Sequence, residues 1–519
     1  MSAVQASPQG FIKNRYKKLS QKRSAYLDRA YKYSEVTLRY IMPENDDPST
    51  EEMQRDFSST GADSVTTLAN KYMLALFPAN KSFFKLTPNI SDRTAEHIGV
   101  TPAEMKIQLT RAEREARRKL ESRHGRPALI DIIKHLIITG NALLYYPDDG
   151  NIQMYPLDQF VVNRTILGEY TEIITEDKKM LDSLDEELRE LVMSTLDIEE
   201  DADLSSKEVT LYTYIKSNPD NYKQYIVEQA VEDMPINEPF TVLKEKNRWT
   251  PLVWNVTRRE EYGRGLVEEH YGNLWSLNIL SEALVTAAAA ICDIKYGVDP
   301  SSTFDVAELN NSPTGSYHLG NPESVGEIGG ENKADLRFVQ EMIDKYERQI
   351  GKAFLSISTQ IRDSERTTAY ENRLRAQELE QAHAGVFSQL ALNLQKPLAT
   401  LLLDEFDITL KDSGIELVVV SGLDAMGRVS ENEKILQLFE DLAVLNNVPE
   451  QLVSVFRYTD TVRLLANGRD VEVDEIIKSD KELQQEQQAR AQAQQNSMAQ
   501  EQMIKKASPE QLAEGMQGE

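Results

Sequence analysis

The chain has a single cysteine, Cys292, among its 519 residues, which excludes an intrachain disulfide. It also lacks any apolar run near the roughly 20 residues that a membrane-spanning helix needs. The longest apolar stretches, residues 135–146 and 284–292, are typical of core elements. The N-terminal residues MSAVQASPQG contain no apolar segment of the kind found in signal peptides. The sequence therefore predicts neither disulfides, nor a membrane span, nor a secretion signal.

Catalytic signatures are absent as well. There is no phosphate-binding loop of the form G-x-x-x-x-G-K-[ST], no G-x-S-x-G elbow and no H-E-x-x-H motif. Two Glu-x-x-His pairs occur, Glu121/His124 and Glu380/His383, and such pairs recur in helical metal sites. Arg123 and Arg126 flank the first pair and would repel a cation. We expect no catalytic residue, no metal and no cofactor; a metal-dependent enzyme built on these pairs remains an alternative that metal analysis would test.

Charge is strongly one-sided, with a formal net charge of −26. Such a balance argues against a protein that wraps nucleic acid tightly, because that affinity needs many Lys and Arg contacts to phosphate. It is compatible with a protein that lets DNA pass without holding it. Between Lys13 and Arg39, however, nine basic residues face two acids. This segment is either a solvated helix face or a surface for an acidic partner or subunit.

The hydrophobic pattern predicts a mixed α+β protein that is mainly α-helical. Apolar residues at helical spacing predict helices over residues 11–41, 63–77, 102–124 and 128–139. Residues 141–255 alternate as strands, with a hairpin at Asp149-Gly150 and a polar turn at 217–221. An acidic amphipathic helix, residues 178–196, interrupts these strands.

The second half contains a distinctive succession of elements. A long helix over 265–292 is followed by a Gly- and Pro-rich insert, 293–334, and by a second helix from Asp335. The polar stretch 356–367 comes next, and Thr368 and Glu371 then form a capping box for a third helix. Pro397 should kink or restart this helix. A strand pair over 407–410 and 415–420, helices to about 480 and a Gln/Ala-rich tail complete the chain.

This succession resembles the portal proteins, the head-to-tail connectors of tailed bacteriophages, and most closely those of short-tailed podoviruses. The stretches that carry the resemblance are LANKYMLALFP with FFKLTP, LIITGNALLYYPDDG, YGRGLVEEHYGNLWSLNILSEALV and ERTTAYENRLRAQELEQAHAGVFSQLALNLQKPLATLLL. Their order and spacing extend over nearly the whole chain.

The resemblance implies a portal fold with wing, stem, clip and crown regions, and it assigns these regions along the sequence. The N-terminal helical part of the wing would be 1–140, the β-rich wing 141–260, the stem helices 261–292 and 335–355, and the clip 293–334. The tunnel loop would be 356–368, a long wing helix with short strands 369–428, the crown 429–480, and a barrel helix or disordered tail 481–519.

The function implied is a dodecameric ring that conducts double-stranded DNA into the capsid during packaging and out during ejection. Its partners would be the terminase large subunit, the tail adaptor, the major capsid protein, the scaffolding protein and internal core proteins. The tunnel loop would present Ser358, Gln360, Arg362, Asp363, Glu365 and Arg366 to the channel. The clip would offer Pro300, Asn310, Pro313, Tyr317 and Pro322 to the terminase or adaptor. The alternative is another virion structural protein, a tail adaptor or internal core protein without a channel.

Overall fold

The structure is a computed structural model of the full chain. It describes residues 6–43, 57–78, 82–88, 102–184, 186–196, 207–255, 257–292, 295–328, 336–356, 383, 385–406 and 415–419. The chain divides into two compact units at residue 425, and the described residues all belong to the first. The predicted crown, the Gln/Ala-rich tail and the tunnel-loop residues after Ser356 lie outside the described ranges.

The described ranges contain α-helices whose bounds largely follow the apolar spacing. They are α1 (Phe11–Glu35), α2 (Thr60–Leu76), α3 (Pro102–Ser122), α4 (Gly125–Thr139), α5 (Glu186–Leu196), α6 (Leu266–Cys292), α7 (Val306–Asn311), α8 (Leu336–Ala353) and α9 (Lys396–Asp404). The predicted stripe of α2, made of Val65, Leu68, Tyr72 and Leu76, is completely buried. Gly140 ends α4 in the left-handed conformation that favours glycine at this position.

The strands form four separate antiparallel sheets in the described ranges. They are β1 (Phe84–Pro88), β2 (Asn141–Tyr145), β3 (Gln153–Tyr155), β4 (Phe160–Arg164), β5 (Tyr170–Met180), β6 (Glu208–Ser217), β7 (Gln224–Val231), β8 (Met234–Pro235), β9 (Phe240–Leu243), β10 (Trp249–Val253), β11 (Lys295–Val298), β12 (Val325–Ile328) and β13 (Ile415–Val419). The largest sheet has the order β4-β5-β6-β7-β8, with β9 also paired to β7. The others are β10-β2-β3, β1-β13 and β11-β12.

One main hydrophobic core joins the helices to the β1-β13 sheet, to the β10-β2-β3 sheet and to side chains of the largest sheet. It includes most of the apolar side chains of α2, α4 and α9, and it extends to the ends of α6 and α8. In a second hydrophobic cluster, Ile12, Tyr16 and Leu19 of α1 pack against the largest sheet. Helix α1 therefore joins the sheet to the core, and its apolar face accounts for the helical period seen in the sequence.

The basic segment around α1 is only partly a free surface. Lys17, Lys18 and Lys32 are exposed, but Arg23 is buried and donates to the main-chain oxygens of Leu157 and Phe160, at 3.0 and 2.8 Å. Other basic residues pair with acids of the same chain. These pairs are Arg15–Glu172 (2.7 Å), Lys13–Glu232 (2.6 Å) and Arg29–Glu268 (3.2 Å). Much of the charge contrast noted in the sequence is therefore used inside the subunit.

The largest differences between the predicted elements and the structure concern two helix ends and one strand pairing. Helix α1 stops at Glu35 rather than continuing to 41, and a short 3-10 turn occupies Arg39–Ile41. The acidic helix begins at Glu186 rather than 178, because β5 continues to Met180 in order to pair with β6. Strand β13 pairs with β1, whereas the predicted partner strand, 407–410, lies outside the described residues.

Candidate functional site

Helices α6 and α8 pack against each other and form the core of the candidate site, which we call the helix pair. Ile343 and Ile350 of α8 are buried, as is Phe354 directly after the helix, and Val339 and Tyr346 pack beside them. The apolar spacing in the sequence predicts Met342 on this face, whereas the structure buries its neighbour Ile343 and leaves Met342 half-buried. The opposite faces retain large exposed apolar side chains, namely Trp275, Ile279, Val285 and Phe338. Apolar surface of this extent on two neighbouring helices is typical of a protein–protein interface.

The insert between the two helices, residues 295–328, is held together at its base. Strands β11 and β12 pair from Lys295↔Ile328 to Val298↔Val325. The backbone NH of Asp299 donates to Ser324 at 2.9 Å, and the hydroxyls of Ser302 and Ser324 are also 2.9 Å apart. Beyond this base the insert forms the short helix α7, which the sequence did not indicate and which Asp305 caps through the NH of Ala307 (2.8 Å).

The insert has no buried core of its own. None of residues 296–326 is buried. All five residues predicted for docking are exposed: Pro300, Asn310, Pro313, Tyr317 and Pro322. Three apolar residues that the prediction missed are exposed beside them, namely Tyr296, Val306 and Leu319, the last with 98% of its surface accessible. Their signal was available in the sequence, since large apolar residues are out of place in a Gly- and Pro-rich connection.

The insert is also acidic. Residues 295–328 contain five carboxylates and one lysine. Among them, Asp299 has its pKa lowered because the backbone and side chain of Ser301 donate hydrogen bonds to it. A negatively charged, apolar-tipped projection is complementary to a partner surface that combines cationic groups with apolar pockets.

A cluster of glycines, which we call the glycine junction, joins helix α6 to the rest of the protein. Gly140, Gly263 and Gly265 approach so closely that a Cβ on Gly265 would lie 2.6 Å from the carbonyl oxygens of Ile137 and Ile138. The buried amide of Asn141 crosses the gap. It donates to the oxygen of Gly263 (2.9 Å) and accepts from the NH of Gly263 (2.7 Å).

Arg264 fastens the outer side of the same junction. Its guanidinium contacts Glu260 and Glu268, each at 2.7 Å, and Arg29 reaches Glu268 from helix α1. The hydrogen bond from Arg264 lowers the pKa of Glu260, and the two carboxylates raise that of Arg264. The start of α6 is therefore held by main-chain packing inside and by an ion-pair network outside.

The far end of α8 is anchored too. Leu355 takes a left-handed backbone conformation (φ +55°), and the NH of Ser356 donates to the carbonyl of Gly351 at 2.7 Å. Lys71 of α2 donates to the carbonyl of Leu355 at 2.6 Å. The predicted channel residues Ser358, Gln360, Arg362, Asp363, Glu365 and Arg366 follow directly, outside the described ranges.

Glu121 and His124 do not form part of a metal site in the described ranges, and Glu380 of the second pair lies outside those ranges. His124 occupies the turn between α3 and α4, with Nδ1 3.0 Å from Oδ1 of Asn151. His383 stacks on Tyr72, with ring centroids 6.0 Å apart, and burial lowers its pKa. No group of three His, Cys, Asp or Glu side chains in the described ranges is placed to hold a metal ion. Nor is any helix there long and apolar enough to cross a bilayer.

Comparison with known proteins identifies the family. Residues 9–477 match the family described as bacteriophage head to tail connecting protein, and the chain belongs to this family. It is similar to the portal protein of Enterobacteria phage SP6, with 32% identity over 94% of both chains. It is also similar to the portal protein of Escherichia phage T7, with 30% identity over 82% of this chain and 80% of that one. These relatives confirm the predicted resemblance to podovirus portal proteins and the mixed α+β fold class.

Among solved structures, the neck of an empty gene transfer agent particle, computed with C6 symmetry, matches 76% of this chain and 90% of its own. The sequence identity is 13% and the TM-score 0.37. Agreement at that level carries no argument about this chain, and the family assignment rests on the sequence comparisons.

Proposed function

We propose that this chain is the subunit of a portal ring, of about twelve copies, at one vertex of a phage capsid. The ring conducts double-stranded DNA inward during packaging and outward during ejection. It is a virion component assembled in the host cytoplasm, and it catalyses no reaction. In this proposal the glycine junction marks where the wing ends, the helix pair is the stem and the insert is the clip.

The observation that carries the proposal is the insert without a core. Thirty-one consecutive residues, 296–326, contain no buried side chain yet hold exposed Tyr317 and Leu319 at their tip. An isolated subunit gains little by ordering such a segment, since ordering costs conformational entropy that burial must offset. We infer that the insert is completed by neighbouring copies and by the terminase large subunit, which the tail adaptor later replaces.

The helix pair supports the ring itself. Trp275, Ile279, Val285 and Phe338 leave apolar surface that copies of the same helices would cover. The exposed apolar residues of α6 differ from those of α8. A contact between α6 of one copy and α8 of the next would therefore join unlike surfaces, which is the arrangement that generates rings. The remaining wing surface would contact the major capsid protein, the scaffolding protein and internal core proteins.

Charge is consistent with a conduit. Each copy carries −26, so a ring of like-charged subunits would repel a DNA duplex, with screening beyond about 10 Å at 0.1 M salt. The tunnel loop, with Arg362 and Arg366 beside Asp363 and Glu365, would then provide modest contacts to phosphate. DNA could slide through such a channel because no deep binding minimum holds it.

Electron microscopy of the purified protein in negative stain tests the ring. We expect particles of about twelve subunits with a central opening, and monomers or dimers at all concentrations would refute the proposal. An Arg366→Ala variant tests the channel: rings should form normally while DNA packaged per capsid falls. Normal packaging by this variant would remove the assignment of Arg366 to the channel but would leave the ring intact.

A further inference from the structure

The turn between β4 and β5 carries two apolar side chains that nothing in the described subunit covers. Ile166 is 94% exposed and Leu167 is 90% exposed. They are adjacent at the outermost point of the turn, with Thr165 before them and Gly168 after. Single exposed apolar residues are common, but a neighbouring pair at this exposure on one turn is a candidate contact.

This turn, which we call the Ile-Leu tip, is fixed in shape. The NH of Gly168 donates to Thr165 at 2.9 Å, and the NH of Thr165 donates to Glu169 at 2.7 Å. Gly168 adopts φ +87°, which glycine tolerates. Arg164 donates to the carbonyls of Gly168 (3.0 Å) and Glu261 (2.9 Å), and so links the base of the tip to the segment just before Gly263. A tip held this way loses little conformational entropy when it binds.

A cavity of about 540 Å³ lies next to β7 and β9, at the opposite edge of the same sheet. Its apolar walls are formed by Tyr145, Phe240, Val242, Trp249 and Leu401. The rings of Tyr145 and Trp249 stack at 5.0 Å. The cavity is large enough for two aliphatic side chains, and its size falls in the usual range for binding pockets.

The rim of this cavity is charged. Lys246 pairs with Asp404, and Arg248 pairs with Asp148. Glu405 accepts from Tyr146 and from Arg123, both at 2.7 Å, so the polar floor is satisfied within the chain. Because both rim cations already pair with acids of this chain, an occupant needs to supply mainly apolar groups for the walls.

We propose that the Ile-Leu tip of one subunit inserts into this cavity of the next copy in the ring. The tip projects from the β4 edge of the sheet, whereas the cavity lies beyond β7 and β9 at the opposite edge. One chain therefore presents a knob and a hole in different places, and neighbours can join head to tail. The inference rests on the proposed ring function and adds a specific contact between the β-rich regions of neighbouring subunits.

Cysteine cross-linking tests the contact directly. In a Cys292→Ser background, Leu167→Cys combined with Phe240→Cys should give a ladder of covalent multimers under oxidation, detected on non-reducing gels. Each single cysteine variant is the control and should yield no ladder beyond a dimer. Rings from the double variant that show no ladder would overturn the contact, yet they would leave the proposed ring function standing.

A charge substitution provides the second test. Ile166→Asp with Leu167→Asp should preserve the fold, since both side chains are exposed, but should lower the fraction of protein in rings about tenfold near the assembly midpoint. Tyr222→Asp, on the exposed β6–β7 turn of the same sheet, is the matched control and should assemble like the wild type. Normal assembly of the double aspartate variant with loss of its entry into capsids would assign the tip to a different protein and overturn the proposal.

Discussion

The glycine junction and the insert differ in how much of their packing is completed within one subunit. At the junction, main-chain atoms of Gly140, Gly263 and Gly265 are in direct contact, and Asn141 satisfies the polar groups between them. In the insert, residues 296–326 contain no buried side chain. The first region is complete within one subunit, whereas the second is ordered by local hydrogen bonds and leaves its apolar groups in solvent.

The contrast separates residues that maintain the subunit from residues available to other proteins. A change at the junction should act on folding, since its neighbours cannot move without disturbing the backbone. A change at the surface of the insert should act on association and leave the free energy of unfolding almost unaltered. Substitutions in the two regions can therefore test this division.

The largest effect is expected at Gly265. In a Gly265→Ala variant the new methyl group would clash with the carbonyls of Ile137 and Ile138, and relief requires the backbone to shift. We expect a loss of about 3 kcal/mol in the free energy of unfolding, at the upper end for overpacking. Thermal unfolding followed by circular dichroism measures this loss.

The matched control is Gly272→Ala, inside the helix α6 that begins directly after Gly265. Nothing lies within 4 Å of a Cβ at this position, and alanine favours helix over glycine. This variant should be more stable by about 0.5–1 kcal/mol. Equal unfolding midpoints for the two alanine variants would contradict the close packing of the junction.

An intermediate effect is expected on acidification, through His135 of α4. Complete burial, aided by Lys134, lowers the pKa of His135 to about 3. In the unfolded chain its pKa is near 6.5, so between pH 6.5 and 3 the unfolded state binds the extra proton and stability falls as the pH falls. At pH 5 this group alone should cost about 2 kcal/mol relative to pH 8.

A His135→Leu variant should therefore lose less stability than the wild type between pH 8 and pH 5. Urea unfolding at a series of pH values measures the slopes. Parallel curves for wild type and His135→Leu would show that the histidine is not buried as described.

The smallest effect on stability is expected at the tip of the insert. Tyr317→Ser with Leu319→Ser removes two side chains that contact almost nothing, and the unfolding free energy should change by less than about 0.5 kcal/mol. Binding to the terminase or tail adaptor should nevertheless weaken, as measured by co-sedimentation with purified rings. A drop of several degrees in the unfolding midpoint would mean that these side chains pack within the chain after all.

Local periodicity predicted most described elements. The stripe in α2, the end of α4 at Gly140 and the strands from β4 to β7 follow from apolar spacing and turn residues. The pairing of β1 with β13 could not be predicted, because the two strands are more than 300 residues apart and neither carries a sign of its partner. The late start of α5 has a similar cause, since pairing with β6 overrides helical propensity up to Met180.

The candidate site divides in the same way. Exposure of the five predicted insert residues follows from Pro, Gly and polar neighbours in the sequence. The glycine junction could not be predicted from the sequence, because Asn141 and Gly263 are more than 100 positions apart and only the fold brings them together. The two glycines of residues 262–265 indicate a turn, but no sequence pattern shows that these glycines approach the end of α4.

The π-helical turn at Ala391–Gln395 has a consequence for how this chain can change in length. It stands directly before α9, which begins at Lys396 and has Pro397 in its first turn, where proline offers no NH to the preceding turn. A π turn accommodates one additional residue in a helix, so the apolar rows on its two sides need not be in register. It also directs buried Gln395 onto the last carbonyl of α2, at Leu76. Deleting a single residue here would rotate the apolar face on one side of the π turn away from the core. We therefore expect relatives to tolerate substitutions in this segment more readily than insertions or deletions.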